Sequence, residues 1–455
     1  MEAVVHLGYD VNGMLRLRSA AINLAFSARA RRVKRGIAEW RRRLARQPHV
    51  VTAFLQLDDP YSYLLSHYLS ALEGQYDIEL RVYLTQALKD GFQAAPELWP
   101  EYATEDCARL ARELGIPFLD KGASPPVEMR RALLDMLAYR SAEADFGRLL
   151  GEVLALYWRG DVEALARRMD AGVPRGVAAD VIDRSQALLK KLGHYNAAML
   201  HYGGEWYWGV DRLHYLASRL DGLGIAKQAR PSALLASIQQ AMQFALPVRP
   251  PAAARGLPPL EVFLSFRSPY SYLCLRRVFA IADAFGLTLV LRPVLPMVQR
   301  SLAVPRQKLL YIAEDAAREA DRLRVPFGRM ADPVGKGAER CLAVFRYAVA
   351  ERRARDFVLH AGEAIWSRGI DVATDKGMRK VTARAGLFWP EVKAALQDDA
   401  WRAEAEANRA AMTASGAWGV PTMRLGDFVT WGQDRDWLLV RHIEECCDTG
   451  DGILV

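Results

Sequence analysis

Two serines three residues apart, in Ser268-Pro269-Tyr270-Ser271, stand where a short apolar strand gives way to a helix. Ser268 takes the N-cap position and Pro269 the first helical position. Unpaired N–H groups and the helix dipole favour an anion at such a point. The layout is that of a Cys-x-x-Cys pair with hydroxyls where thiols would stand. A serine cannot form a disulfide, yet its hydroxyl can donate a hydrogen bond to the thiolate of a bound thiol. That bond lowers the thiol's pKa and makes a nucleophile available near neutral pH. Taken alone, Ser-Pro at a helix start reads first as an ordinary cap. The chain's five cysteines, Cys107, Cys274, Cys341, Cys446 and Cys447, are odd in number and lack a Cys-x-x-Cys pair. This speaks against a disulfide scaffold, and no metal site is expected. Adjacent Cys446 and Cys447 are expected to be two free thiols.

The elements that must position these residues occur twice. Asp59-Pro60-Tyr61-Ser62-Tyr63-Leu64 matches Ser268-Pro269-Tyr270-Ser271-Tyr272-Leu273 at an offset of 209 residues. The same offset carries Glu105-Asp106 onto Glu314-Asp315, Arg109 onto Arg318, Pro117-Phe118 onto Pro326-Phe327, and Arg159-Gly160 onto Arg368-Gly369. Trp208-Gly209-Val210-Asp211-Arg212 matches Trp431-Gly432-Gln433-Asp434-Arg435 at an offset of 223. Chance does not keep one register so long, so the chain is an internal duplication. Between the halves, residues 246–259 hold five prolines and read as a semi-stiff linker. The expected organisation is a basic arm (1–48), one domain (49–245), the linker (246–259) and a second domain (260–455).

Within each half, Val50 to Leu57 or Leu260 to Phe266 is a strand, followed at once by a helix capped by Asp59 or Ser268. A second strand follows, Ile78 to Leu84 or Leu287 to Arg292, and then a long helical pattern that includes Leu309 to Leu323 and Arg340 to Trp366. A hairpin, Thr422 to Leu425 and Phe428 to Trp431 around Gly426-Asp427, closes the second half. The expected fold class is therefore α/β: two tandem thioredoxin-like domains, each interrupted by an all-helical insertion. In such a fold, Pro421 of Gly419-Val420-Pro421-Thr422 is expected in cis, turning the Val420 backbone toward the helix start to pair with an extended peptide. An ordinary trans Val-Pro entering an edge strand is the plainer alternative.

Together these residues resemble the 2-hydroxychromene-2-carboxylate isomerase and kappa-class glutathione transferase family, a DsbA-like branch of the thioredoxin fold. The resemblance rests on Phe266-x-Ser268-Pro269-Tyr270-Ser271-Tyr272-Leu273, Gly419-Val420-Pro421-Thr422 and Trp431-Gly432-x-Asp434-Arg435, and covers Leu260 to about Glu445. It implies a glutathione-dependent isomerase or transferase acting on a small electrophilic substrate. Ser268 would activate the glutathione sulfur, Val420 beside cis Pro421 would pair with its cysteinyl backbone, and Gln433 with Asp434 would hold its γ-glutamyl end. Lys308, Tyr311 and Arg318 are candidates for an anionic substrate, with solvated helix faces as the alternative. A thiol-disulfide oxidoreductase, or a non-catalytic module of the same fold, is the competing reading.

The first half departs from the pattern. Asp59 replaces the serine, and a carboxylate there would raise a thiolate's pKa. Ala198 falls where the proline would be. This copy is expected to keep its fold and lack glutathione chemistry. His194, His201, Trp206 and Tyr207 could line another site, although exposed hairpin aromatics and surface histidines are the simpler expectation.

The net charge of +8 is local, because residues 29–46 hold nine basic residues and one acid, leaving 52 of each sign elsewhere. That balance removes the charge-based case for nucleic-acid binding by the body. No uncharged apolar window is long enough to span a bilayer, and the best N-terminal stretch, Ser19 to Ser27, lacks a secretory cleavage pattern, so a cytoplasmic location is expected. As a helix, the arm would carry Val33, Ile37, Trp40 and Leu44 on one stripe. It could touch an anionic membrane surface through residues 29–46, or dock the stripe on its own domain, which is the preferred expectation. No partner protein can be read from the sequence.

Overall fold

The computed structural model describes residues 27–449 apart from 89–94, 119–124, 170–171 and 301–303, so most of the 19–27 stretch and the first part of the arm lie outside the described residues. Two compact units are present, one built on Lys34–Ala245 with Ala303–Tyr311, the other on Leu246–Leu302 and Ile312–Val455 together with the chain up to Val33, so the first residues of the first helix fall in the second unit.

The N-terminal unit follows helix α1 (Ala28–Leu44) with β1 (Val50–Leu55), α2 (Pro60–Gln75) and β2 (Glu79–Leu84). Helices α3 (Trp99–Leu114), α4 (Val127–Tyr139), α5 (Phe146–Arg159), α6 (Val162–Arg168) and α7 (Val177–Leu192) come next. The hairpin β3 (Met199–Tyr202) and β4 (Glu205–Trp208) closes the sheet before α8 (Leu213–Asp221) and α9 (Ala233–Ala241). Gly203 and Gly204 both have positive φ, as the two-residue turn between these strands requires.

The second unit repeats this plan. It runs β5 (Leu260–Leu264), α10 (Pro269–Phe285), β6 (Leu289–Pro293), α11 (Arg306–Leu323), α12 (Lys336–Ala350), α13 (Ala354–Trp366), α14 (Asp375–Arg384), α15 (Trp389–Ala395), α16 (Trp401–Ala414), β7 (Thr422–Leu425), β8 (Phe428–Trp431) and α17 (Asp436–Thr449). The sheets have the orders β2-β1-β3-β4 and β6-β5-β7-β8. In each, the first two strands are parallel and the remaining pairings antiparallel. A parallel pair needs a crossover, and α2 or α10 supplies it. The central strands are covered on both faces, so Val51, Phe54 and Leu55, like Val262, Phe263 and Leu264, are fully or almost fully buried.

Equivalent tyrosines in the two units tie the crossover helix to the helical insertion. Tyr61 Oη donates to Asp106 at 2.8 Å, and Tyr270 Oη donates to Asp315 at 2.8 Å. Tyr63 and Tyr272 donate to the carbonyls of Pro117 and Pro326. The residues that keep the repeat in register are thus the ones that fix the insertion on the sheet.

Two expectations are corrected, and one segment gains detail. The helical pattern from Arg340 to Trp366 is broken at 351–353, where Arg352 has φ 57° and the Arg353 N–H closes back on the Ala348 carbonyl at 2.7 Å. The proline-rich segment contains a 3₁₀ turn, Ala252–Gly256, with Ala254 buried. In α1 the stripe is not docked: Val33, Ile37, Trp40 and Leu44 are 55%, 45%, 63% and 71% exposed. Arg35 docks the helix instead, placing Nε and Nη2 each 2.9 Å from the carboxylate of Glu205. Burial alone would raise the Glu205 pKa, but hydrogen bonds from Arg35 and the charge of Arg219 hold it at about 2. A paired guanidinium fork on a half-buried carboxylate outweighs the modest gain from laying the stripe down. No described helix is long and apolar enough to cross a membrane.

Candidate functional site

Ser268 caps α10, and its Oγ accepts the Ser271 N–H at 3.1 Å while donating to the Val420 carbonyl at 3.3 Å. It is half-buried and so within reach of a ligand. The other serine has a different task, because Ser271 Oγ accepts the Ser265 N–H at 3.2 Å and closes the strand-to-helix turn. Ser62 does the same in the first copy, accepting the Gln56 N–H at 3.0 Å. The second hydroxyl of each motif is therefore structural, and only Ser268 meets the loop opposite.

That loop is Gly419-Val420-Pro421-Thr422, with Val420-Pro421 in cis. Its shape depends on close packing: a Cβ on Gly419 would lie 2.5 Å from Trp431 Nε1 and 2.7 Å from Cε2. Thr422 Oγ1 donates to the Gly419 carbonyl at 2.8 Å, and the Gly432 N–H to the Pro421 carbonyl at 2.9 Å. An indole cannot yield as a flexible chain end can, so a Gly419→Ala variant must shift the loop or the ring. We expect it to lose ~1–3 kcal/mol of stability, measured by chemical denaturation of the full chain.

Gln433 and Asp434 precede α17, and the Gly432 bond to Pro421 makes them neighbours of the loop. Gln433 is buried, and its Nε2 donates to Glu319 Oε2 at 2.7 Å. Its Oε1 is buried with no hydrogen-bond partner among the described residues. Glu319 is itself 1% exposed and is held by Arg322 at 2.8 Å. Sequence reasoning missed Glu319. Its only signal is the run Asp315-x-x-Arg318-Glu319-x-x-Arg322, two acid–arginine pairs each three residues apart on one helix. Asp434 is 8% exposed, and Arg435, expected to be a structural pairing residue, is buried 3.9 Å from it. Next to them, Asp436 meets Arg277 at 2.5 Å, and burial pushes its carboxyl up to about 6.

The anionic-substrate candidates fall elsewhere. Arg318 is buried against Asp315 at 2.6 Å, so a solvated face does not describe it. The Tyr311 ring packs edge-on against His194 at 4.7 Å between centroids, and burial lowers the Lys308 pKa. Nor do the described cysteines offer a reactive pair. None of the five is in a disulfide; burial pushes Cys274 up to about 12 and Cys341 higher still. Among the described residues no group of three or more His, Cys, Asp and Glu side chains could hold a metal ion.

In the first copy, Asp59 caps α2 and accepts both the Ser62 N–H at 2.9 Å and its hydroxyl at 2.6 Å. Ala198 occupies the place of Pro421: the Gly209 N–H donates to its carbonyl at 2.7 Å, as Gly432 does to Pro421. Its φ is 53°. His194 and Tyr207 are fully buried and Trp206 is 7% exposed, so these rings belong to a core and neither line an open site nor sit on the surface. Burial also takes His201 down to about 4.

Burial raises the Asp59 carboxyl to about 6. A raised carboxyl stabilises the fold fully below its unfolded value near 4 and loses that contribution as pH climbs through about 6. Asn caps as well as Asp. An Asp59→Asn variant should therefore match the parent at pH ~4 and exceed it by up to ~3 kcal/mol at pH ~8, which paired denaturation curves will read.

Residues 259–444 match the model of the DSBA-like thioredoxin domain family. Over 197 residues the chain is 25% identical to the 2-hydroxychromene-2-carboxylate isomerase of Pseudomonas putida, spanning 41% of this chain and 95% of that protein. The protein of that name from Sphingobium xenophagum is 25% identical over 186 residues, spanning 39% of this chain and 93% of its own. A solved structure of 2-hydroxychromene-2-carboxylate isomerase superposes with a TM-score of 0.37 at 24% identity, covering 43% of this chain and 99% of that one. The second half of the chain carries a DsbA-like thioredoxin domain.

Proposed function

We propose that the second domain is a glutathione-dependent enzyme of the 2-hydroxychromene-2-carboxylate isomerase type, working on a small electrophilic substrate in the cytoplasm. The observation that carries this reading is the meeting of Ser268 Oγ with the Val420 carbonyl at 3.3 Å, at the N-terminus of α10. A hydroxyl whose acceptor among the described residues is one long bond to a backbone oxygen can turn to a better acceptor, and a thiolate is one. The Ser271 N–H and the helix dipole favour the same negative charge.

The remaining residues fit a γ-glutamyl tripeptide. Val420 is half-buried beside cis Pro421, and its backbone is the part of the loop suited to pairing with an extended chain. Gln433 Oε1 is a buried acceptor in need of a donor, which an ammonium group would supply, and Asp434 adds the counter-charge. Glu319 holds the Nε2 side of that amide and so fixes which atom is left to accept. When bound, glutathione supplies a thiolate nucleophile for the electrophile. Ser268 keeps that sulfur ionised, the loop orients the peptide, and Gln433 with Asp434 anchors its far end.

Isomerisation is favoured over group transfer because the curated relatives carry the isomerase name. An oxidoreductase is disfavoured by the buried, protonated thiols of Cys274 and Cys341. Calorimetric titration of the full chain with reduced glutathione should show a single site with Kd between about 1 μM and 1 mM. Isomerisation of 2-hydroxychromene-2-carboxylate should require added glutathione. Absence of heat at millimolar glutathione overturns the reading, whereas binding without isomerisation moves the assignment to a transferase.

A further inference from the structure

Helix α1 presents two faces of opposite purpose. Arg35 and Arg42 lie on one side; the first pairs with Glu205, and the second donates to the Gln47 carbonyl at 2.6 Å and to Glu39. At 100° per residue, Val33, Ile37, Trp40 and Leu44 fall within about 60° of one another on the opposite side. All four are exposed, Trp40 by 63% and Leu44 by 71%. Exposed Arg29, Arg32 and Arg43 border the stripe on one flank, and exposed Lys34 and Arg41 on the other. The helix is anchored by its paired arginines and turns outward an apolar stripe between two basic rails.

We propose that this face is a docking surface for an anionic lipid bilayer, separate from the chemistry of the second domain. A bilayer surface is the occupant that satisfies both halves of the pattern. Acyl chains take up the stripe, with the Trp40 indole at the headgroup level, while lipid phosphates and carboxylates meet the rails. A nucleic acid would neutralise the rails and leave the stripe in water. A second copy of the chain would cover the stripe but bring the two sets of rails together, like charge against like. The helix would lie along the surface, because it is not apolar enough to cross.

The test is co-sedimentation of the full chain with phosphatidylcholine vesicles and with vesicles containing about 30% phosphatidylserine. Binding should favour the anionic vesicles by about tenfold or more and fall as salt rises. An Ile37→Ser/Trp40→Ser variant should lose about tenfold of that partitioning. Arg29→Glu/Arg41→Glu should lose more, since each basic residue near the surface is worth about fivefold. These side chains are exposed, so melting temperature and glutathione titration should stay at parental values and report that the fold is intact. Equal binding to both vesicle types, or unchanged vesicle binding by the Ile37/Trp40 variant, overturns the proposal. So does a dimer in sedimentation velocity that this variant splits while the parent ignores vesicles, which would identify a second copy as the occupant.

Discussion

Turnover by a Ser268→Ala variant is expected to fall about 10- to 100-fold at neutral pH, with little change in the apparent affinity for glutathione. A hydrogen bond to a charged acceptor is worth ~1.5–3 kcal/mol, and that free energy is realised only when the sulfur is ionised. Removing the hydroxyl therefore leaves the neutral thiol bound much as before, and the bound thiol titrates roughly one to two pH units higher. The rate should recover as pH rises, and that recovery separates loss of activation from loss of structure. Ser268 also caps α10 through the Ser271 N–H, so alanine should cost ~1 kcal/mol of stability as well. Ser268→Thr keeps a hydroxyl that can cap and donate, and should retain most of the rate. Parental turnover and pH profile in Ser268→Ala would remove Ser268 from the mechanism.

The largest loss of stability is expected from Asp315→Ala. The Asp315 carboxylate is buried, accepts from Tyr270 Oη at 2.8 Å and pairs with Arg318, itself 7% exposed. Removing it takes from a buried guanidinium and a phenol the carboxylate they share, and breaking such a buried pair from one side costs ~3–5 kcal/mol. Asp315→Asn keeps an acceptor for Tyr270 but not the charge, and should fall between the two. The equivalent change in the first half, Asp106→Ala, also removes a tyrosine's acceptor and should destabilise that unit. Glutathione binding should survive the second change and suffer from the first. Two units need not unfold together, so the transitions should be followed with separate probes.

These two residues also show what the sequence made legible. Asp315 was visible as part of a repeat, because a tie between crossover helix and insertion needs one acid and one tyrosine at fixed positions, and both halves retained them. The hairpin Thr422–Leu425 and Phe428–Trp431 was readable because its turn residues and alternation are local. The break at 351–353 was not, since its left-handed residue is an arginine rather than a glycine and the apolar spacing runs on across it. Glu319 was hidden for a related reason: its role comes from Gln433, 114 residues away, and nothing nearby announces that contact. The orientation of α1 was misjudged because hydropathy alone favours covering the stripe, whereas the decisive contact is a charged one to Glu205, 170 residues on.

The backbone of Ala198 sets a limit on redesign. With φ at 53°, it lies far from the value near −65° to which a proline ring is locked. Asp59 could be replaced by serine in place, but a proline at 198 would first require the loop around it to be rebuilt. Grafting the Ser-Pro-Tyr-Ser and Val-Pro pieces of the second half onto the first is therefore a backbone problem before it is a side-chain one.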